Sequence, residues 1–239
     1  NFKDKIIYLP LEKGPKNLHE INSNESLEIK NSKILDNALI RENFQRNFLA
    51  EGLKEFSDEE LICISDLDEI PDLKNFTYKK KITIFKQKMI YYKFNLIYPN
   101  FSWSGSKICK KKHLHRPQWL RNIKTKIYPL WRLDALFSNK KYHNIEIIED
   151  GGWHFTNIKS PEKIDYKMKN FLHHLEYEES GMGITDIKKS IIDKKIIYDY
   201  FADKRTGKIN NSGELEKLKL DKLPNYIIQN IHKYKEWLD

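Results

Sequence analysis

The chain has 239 residues, of which 39% are hydrophobic and 13% aromatic, and it carries a formal net charge of +9. This composition excludes a disordered chain, and no apolar run approaches the roughly 18–20 residues that a membrane-spanning helix requires. Cys63 and Cys109 are too few for a disulfide framework or an all-cysteine zinc site. Because such cysteine usage favours a reducing compartment, we expect a cytoplasmic protein, with peripheral membrane association left open.

The positive charge favours acidic partners such as nucleic acid, an anionic membrane or phosphate-bearing small molecules. The lysines are scattered, with only short runs at 79–81 and 110–112, so a generic solvated surface is the alternative. A single-strand-binding protein would interleave aromatic side chains with clustered basic ones. We therefore expect no nucleic-acid partner and keep a basic nucleic-acid-binding protein as a rival hypothesis.

The first elements are a strand, a helix and a strand. Residues 6–9 predict a short buried strand, and residues 11–36 show no trustworthy periodicity. Apolar residues spaced by three to five between 39 and 56 predict an amphipathic helix. The apolar tetrapeptide Leu61–Ile64 predicts a central strand that is covered on both faces.

The later elements are mixed. The sequence predicts strands within 81–98 and at 145–148, a turn at 101–105, helices at about 160–179 and 186–201, a loop at 204–213 and an amphipathic segment at 223–237. This order predicts one α/β domain over residues 1–239, with a mixed central sheet flanked by helices and a helical C-terminal part from about residue 160.

Three carboxylates follow the strand Leu61–Ile64 directly. Asp66, Asp68 and Glu69 come before Pro71, at a strand end where ligands gather in α/β sheets. Carboxylate oxygens suit Mg²⁺ or Mn²⁺, which bind through one or two carboxylates together with substrate phosphates. Asp66 and Asp68 could address the same ion. A solvated acidic turn is the alternative.

A second marker is the Gly151-Gly152-Trp153-His154-Phe155 sequence. The two glycines permit backbone conformations that other residues cannot adopt and allow close approach of a ligand. Neutral His154 would be a good Mn²⁺ or Zn²⁺ ligand, and the flat face of Trp153 could stack on a sugar ring. The alternative is a Trp-Phe pair that packs in the core beside a hydrogen-bonded histidine.

Together, the two markers resemble glycosyltransferase family 17 (β-1,4-mannosyl-glycoprotein β-1,4-N-acetylglucosaminyltransferase-like). The resemblance covers roughly residues 38–180. Further matching stretches are 41–53, 91–95, 103–105 and 167–171 with His173.

This resemblance implies a GT-A-type nucleotide-sugar-binding fold and an inverting transfer of a sugar, with N-acetylglucosamine as a candidate, from a UDP-sugar or another nucleotide donor to a glycan or polysaccharide. Asp68 would ligate Mn²⁺ or Mg²⁺, and Asp66 would face the donor ribose or a metal-bound water, within the same metal site. His154 would be a third ligand. The family begins with a strand and a helix, and we expect this chain to start after them.

The transfer also needs phosphate contacts and a general base. Arg41 and Arg46, on the predicted helix, could contact the donor phosphates, with a solvated helix face as the alternative. Asp150 is the first candidate for the base and Glu149 the second, whereas Glu69 is expected to orient the loop. A nucleotidyl- or phosphotransferase that uses the same carboxylates is the other rival hypothesis.

Overall fold

A computed structural model describes residues 2–170, 174–197 and 213–239. Within these ranges the protein is an α/β structure with a mixed sheet of seven strands flanked by helices. The strands are β1 (Leu61–Ile64), β2 (Glu69–Pro71), β3 (Ile82–Tyr91), β4 (Leu96–Lys110), β5 (Ile145–Ile148), β6 (Gly152–Thr156) and β7 (Glu216–Lys217). Their order is β1-β4-β3-β6-β2, with β5 paired to β3 and β7 paired to β4. The α/β class and the mixed sheet agree with the prediction.

Helices make up most of the remaining regular structure. The α-helices are α1 (Leu27–Phe48), α2 (Pro117–Asn122), α3 (Leu133–Leu136), α4 (Pro161–Asn170), α5 (His174–Glu179), α6 (Ile184–Ile192) and α7 (Asn225–Gln229). Short 3-10 helices span Lys3–Lys5, Leu49–Leu53, Lys111–His113, Leu220–Lys222 and Ile231–Trp237. None of the helices in the described ranges has the length and apolar character needed to cross a bilayer.

The described chain divides into two compact units. The first comprises residues 1–64, 79–83 and 107–146, and the second comprises residues 65–78, 84–106 and 147–239. The prediction of a single domain stays a prediction.

In the first unit, α1 begins earlier than the sequence predicted. The side chain of Ser26 accepts a hydrogen bond from the amide of Ile29, which caps the helix start. The helix then runs to Phe48 and continues as a 3-10 turn through Leu53. The prediction of irregular structure was therefore wrong for residues 27–36, because a capped helix can form without a strong apolar stripe.

Strand β1 is not covered on both faces. It pairs antiparallel with residues 107–110 of β4 and lies at one end of the strand order. Its burial alternates, with Ile62 and Ile64 buried and Leu61 and Cys63 exposed. The strand itself is confirmed, but a half-buried edge strand replaces the predicted central one.

The predicted strand at residues 6–9 is absent. These residues have no regular secondary structure, and Ile6, Ile7 and Tyr8 are all exposed. Four apolar residues before a proline are too short a signal to separate a strand from an extended surface segment.

The core of the second unit lies between the sheet and the helices that follow residue 160. Met89, Tyr91 and Tyr98 from β3 and β4 pack against Ile164 of α4 and Ile187 of α6. Helices α4 and α5 confirm the helical prediction for about 160–179, apart from residues 171–173, which lie outside the described residues. The helix predicted at 186–201 ends at residue 192 in the structure. Residues 198–201 of that prediction, and residues 204–212 of the predicted loop, lie outside the described residues.

The stretch 101–105 is strand rather than turn. It lies within β4, which runs without interruption from Leu96 to Lys110. Trp103 thereby occupies a position on a strand, so its ring is directed by the sheet. The turn prediction was wrong because it gave the serines and the glycine of this stretch more weight than the aromatic residues, which favour strands.

Candidate functional site

The two sequence markers lie side by side in the second unit. Strand β2 pairs antiparallel with β6, so that Glu69 faces His154 and Pro71 faces Gly152. Strand β3 pairs parallel with the other edge of β6, where Met89 faces His154. His154 therefore sits between the carboxylate-bearing strand and the long central strand.

Close approach of the backbones explains the glycine pair. Gly152 has a φ of +132°, and a Cβ at this position would lie 2.2 Å from the carbonyl oxygen of Ile70. The amide of Gly151 donates to the carbonyl of Lys86, and its own carbonyl accepts from the amide of Asp72. Only glycine can adopt this conformation so close to a neighbouring strand.

The central contact of the site joins Asp68 and His154. The imidazole Nε2 lies 3.4 Å from Oδ1 of Asp68, and the Asp68 carbonyl accepts a 2.8 Å hydrogen bond from the amide of Phe155. The His154 side chain is only 9% exposed, whereas that of Asp68 is 38% exposed. Asp68 is thus the member of the pair that a solute can reach.

Opposing effects act on the Asp68 carboxyl. Burial alone would raise its pKa, but the hydrogen bond and charge of His154, together with the charge of Lys167, hold the pKa below its ordinary value. The carboxylate form, which is the form that binds cations, is therefore favoured.

Two side chains fix the imidazole of His154. The Trp103 ring stacks on it with 4.8 Å between ring centroids and an 18° interplanar angle. The other ring nitrogen, Nδ1, lies 3.0 Å from the sulfur of Met89. Nε2 is consequently the nitrogen that faces Asp68.

Glu69 connects the tryptophan to the carboxylate loop. Its buried side chain accepts a 2.7 Å hydrogen bond from the indole N–H of Trp103 and a 3.0 Å hydrogen bond from the amide of Asp66. These two bonds tie the turn between β1 and β2 to strand β4. They are the loop-orienting contacts expected of Glu69.

A directional chain of hydrogen bonds supports the same turn. Gln87 donates through Nε2 to the hydroxyl of Ser106 at 3.1 Å, and the hydroxyls of Ser106 and Ser65 are 2.6 Å apart. Ser65 in turn donates to the carbonyl of Glu69 at 2.9 Å. Sequence reasoning missed Gln87 and Ser106, because polar residues inside a strand carry no local signal of their partners.

Lys167 is a further residue that sequence reasoning did not assign to the site. Its ammonium donates to Oδ1 of Asn157 at 3.1 Å, and Asn157 donates to the hydroxyl of Tyr91 at 2.9 Å. Burial lowers the pKa of Lys167, while the charge of Asp68 opposes that shift. The sequence signal for it was its position within the stretch 167–171, which resembles the family.

The structure brings together two of the three predicted metal ligands, Asp68 and His154. Among residues 2–170, 174–197 and 213–239, no group of three or more His, Cys, Asp or Glu side chains is arranged to hold a metal ion. Asp66 therefore does not complete the predicted three-residue set, and its backbone amide donates to the side chain of Glu69.

The other predicted residues of β6 and its preceding turn are directed elsewhere. Successive strand residues point to opposite faces of a sheet, so Trp153 lies on the face away from His154. Its indole donates to the carbonyl of Lys222, and its ring packs with Ile90 and Leu223. These contacts match the packing alternative, and the donor-binding role of Trp153 stays a prediction.

Asp150 and Glu149 are held by lysines. Asp150 forms an ion pair with Lys88, which faces Trp153 in the register of β3 and β6. Glu149 pairs with Lys86 at 2.9 Å. Because Lys88 shares the Trp153 face, the structure does not direct Asp150, the first candidate for the base, toward the Asp68–His154 pair.

The predicted phosphate-binding arginines lie on α1 in the first unit. Arg46 contacts Gln118 and forms an ion pair with Glu42 at 2.9 Å, and Arg41 is exposed on the same helix. Arg41 therefore matches the solvated-helix alternative, whereas the Arg46 side chain is only 14% exposed and is engaged by protein groups. The phosphate-binding role of both arginines stays a prediction.

The Asp68–His154 pair fits a divalent cation. Metal bonds to carboxylate oxygen or imidazole nitrogen are roughly 2.0–2.2 Å, so two ligands of one ion lie at most about 4.4 Å apart. The 3.4 Å separation of Oδ1 and Nε2 is within this limit. Two protein ligands would leave further coordination positions for phosphate oxygens and water. The carboxylate suits Mg²⁺ or Mn²⁺, whereas the imidazole is a ligand that transition metals prefer.

Comparisons with known proteins add no relative: no protein-family model, no curated protein and no solved structure matches this chain.

Proposed function

We propose that this chain is a metal-dependent inverting glycosyltransferase of the family 17 type. The observation that carries the proposal is the pairing of the two family-like motifs on neighbouring strands, with Nε2 of His154 3.4 Å from Oδ1 of Asp68. Two motifs more than eighty positions apart in the sequence thus supply one cation-binding pair, which a packing role for either motif would not require.

Asp68 and His154 are the residues that would hold a Mn²⁺ or Mg²⁺ ion. When bound, the ion neutralises the charge that develops on the departing nucleoside diphosphate. Trp103 and Met89 hold the imidazole so that Nε2 points at Asp68. Lys167, whose charge already acts on Asp68, supplies a cation that attracts the diphosphate of the donor.

The substrates follow from the resemblance. The donor class is a nucleotide sugar, with UDP-N-acetylglucosamine first among candidates, and the acceptor class is a glycan or polysaccharide. The base that removes the acceptor proton remains assigned to Asp150 and then Glu149 from the sequence alone, and the ion pairs of both with lysines do not favour that assignment.

The test is a donor panel. Hydrolysis and transfer are measured with UDP-, GDP- and CMP-sugars and with nucleoside triphosphates, each with Mn²⁺ and with a chelator. The variant Asp68→Asn keeps the side-chain shape and removes the charge. Its matched control is Asp72→Asn, because Asp72 is an exposed carboxylate next to the same strand.

We expect activity on one nucleotide sugar that needs Mn²⁺ or Mg²⁺, falls by at least about 10²-fold in Asp68→Asn and persists in Asp72→Asn. Turnover of nucleoside triphosphates alone would favour the nucleotidyl- or phosphotransferase hypothesis. Metal-independent activity on a sugar nucleotide, or full activity in Asp68→Asn, would contradict the proposal.

A further inference from the structure

The segment 127–137 of the first unit exposes an unusual number of large apolar side chains. Their exposed fractions range from 57% for Ile127 to 91% for Phe137. The members are Ile127, Leu130, Trp131, Leu133 and Phe137. Single exposed apolar residues are normal on protein surfaces, but a concentration in one short segment usually marks an interaction site.

The segment is nonetheless held in place. The amide of Lys124 donates to the carbonyl of Lys140 at 2.8 Å, which closes the ends of the segment. The ring nitrogen Nδ1 of His143 lies 2.7 Å from the carbonyl of Tyr128, and Tyr128 and Ala135 are buried. The exposed residues therefore stand on an anchored base, so their exposure is a property of the folded unit.

Basic residues flank and interrupt this apolar segment in the sequence. Between positions 121 and 143 there are six lysines and arginines and one acidic residue, Asp134. The basic residues are Arg121, Lys124, Lys126, Arg132, Lys140 and Lys141. Asp134 is bound by Arg132 at 2.6 and 2.8 Å and by Lys141 at 2.6 Å, so its charge is compensated and the remaining excess is positive.

This combination matches the chemistry of an anionic lipid surface. Peripheral proteins insert Leu, Phe and Trp side chains to the depth of the acyl-chain boundary, while Lys and Arg contact the anionic headgroups. Trp is especially favoured at that depth because its ring is apolar and its N–H is polar. The cores of protein–protein interfaces, in contrast, are depleted of lysine.

We propose that residues 127–137, together with the basic residues that flank them, form a docking surface for an anionic bilayer. Trp131 and Phe137 enter the boundary between headgroups and acyl chains, and Lys124, Lys126 and Lys140 contact lipid phosphates or carboxylates. The inference is independent of the proposed catalytic site, which lies in the second unit.

Co-sedimentation with vesicles tests the proposal. The whole chain is incubated with phosphatidylcholine vesicles and with vesicles that contain about 30% phosphatidylserine. The first variant is Trp131→Ser/Phe137→Ser, the second is Lys124→Ser/Lys126→Ser/Lys140→Ser, and the matched control is Tyr166→Ser/Ile192→Ser. The control side chains are 72% and 78% exposed but lie outside the segment. Circular dichroism confirms that each variant is folded.

We expect binding to the anionic vesicles that is at least about tenfold weaker without phosphatidylserine and that weakens as salt rises. Each of the two segment variants should lower the partition coefficient at least about tenfold, and the control should bind like the natural chain. A brominated lipid should quench the tryptophan fluorescence of the natural chain more than that of the Trp131→Phe variant.

Three results would overturn the proposal. The first is absence of the natural chain from the anionic vesicle pellet. The second is equal binding by the natural chain and Trp131→Ser/Phe137→Ser. The third is concentration-dependent self-association, abolished by Trp131→Ser/Phe137→Ser, with no vesicle binding, which would assign the segment to contacts between copies of the chain.

Discussion

The strand pair β2–β6 and the segment 127–137 both depart from the usual distribution of polar and apolar side chains. The strand pair buries polar side chains, and the segment exposes apolar ones. At the strand pair, Glu69 and His154 are polar and buried, and each has neighbouring groups that stabilise it. In the segment, Trp131 and Phe137 are apolar and exposed. Both departures cost stability relative to the reverse arrangement, so each calls for a separate physical explanation.

The difference between the regions lies in where the compensation is found. The buried Glu69 is compensated inside the fold, because the indole of Trp103 and the amide of Asp66 donate to its carboxylate. The exposed apolar groups of the segment find no such compensation within the fold, which is why we propose that an external surface covers them. Substitutions at the strand pair should therefore change stability, and substitutions in the segment should change binding.

The largest effect is expected for Gly152→Ala. A Cβ would lie 2.2 Å from the Ile70 carbonyl and 2.9 Å from backbone atoms of Pro71 and Asp72, so β2 and β6 would have to separate. We expect a loss of at least about 3 kcal/mol in the free energy of unfolding, measured by urea denaturation. The matched control is Gly181→Ala, with φ +66° but open space around the site, for which about 1–2 kcal/mol is expected. Equal losses in both variants would contradict the close-approach argument.

A smaller effect is expected for Trp103→Phe. The ring that covers His154 is kept, but the indole N–H that donates to Glu69 at 2.7 Å is lost. Removing one donor from a buried carboxylate should lower the free energy of unfolding by about 1–3 kcal/mol. Trp131→Phe, at a position that is 75% exposed, should stay within about 0.5 kcal/mol. A similar loss at both tryptophans would remove the distinction between the two regions.

Acidification should reveal the contribution of Asp68. Its pKa in the folded protein lies below the ordinary value of 3.8, so its stabilising contribution is present above that value and is lost as the pH falls through the lower folded pKa. Unfolding free energies of the natural chain and Asp68→Asn are compared in chelator at about pH 6 and about pH 2. We expect a difference below about 1 kcal/mol at the higher pH, because the side chain is 38% exposed, and a smaller difference at the lower pH. If the difference in unfolding free energy between the two chains grew on acidification, the lowered pKa of Asp68 would be contradicted.

The smallest effect on stability is expected for Phe137→Ser. The side chain is 91% exposed, so the free energy of unfolding should stay within about 0.5 kcal/mol of that of the natural chain. The melting temperature checks this expectation in the absence of lipid. A marked fall in melting temperature would show that Phe137 contributes to the core, and the segment would then lose its contrast with the strand pair.

Much of the fold could be predicted from local patterns. Apolar runs and β-branched residues predicted strands at 61–64, within 81–98 and at 145–148, and Ser160-Pro161 predicted the start of a helix. The failures occurred where local patterns conflict with their surroundings. Residues 6–9 look like a strand but have no strand partner, and residues 101–105 look like a turn but are paired as part of β4.

The candidate site was predictable in part for the same reason. Asp68 and His154 stand in motifs with distinctive composition, so the sequence could nominate both. It could not separate them from Asp66 and Trp153. Asp66 shares a turn with Asp68, Trp153 is adjacent to His154 on one strand, and which member of each pair meets the other motif depends on the pairing of β2 with β6. Gln87 carries no motif and became visible only through its contacts. Lys167 stands in a family-like stretch, but its effect on Asp68 became visible only in the structure.

By itself, the amino-acid sequence determined the α/β class, most of the strands and the residue types available for chemistry, since these follow from composition and local periodicity. The tertiary structure decided which of those residues meet. It placed His154 beside Asp68, turned Trp153 to the opposite face and left Trp131 and Phe137 exposed. These outcomes depend on pairing between strands far apart in the chain and on burial, and no local pattern encodes either of them.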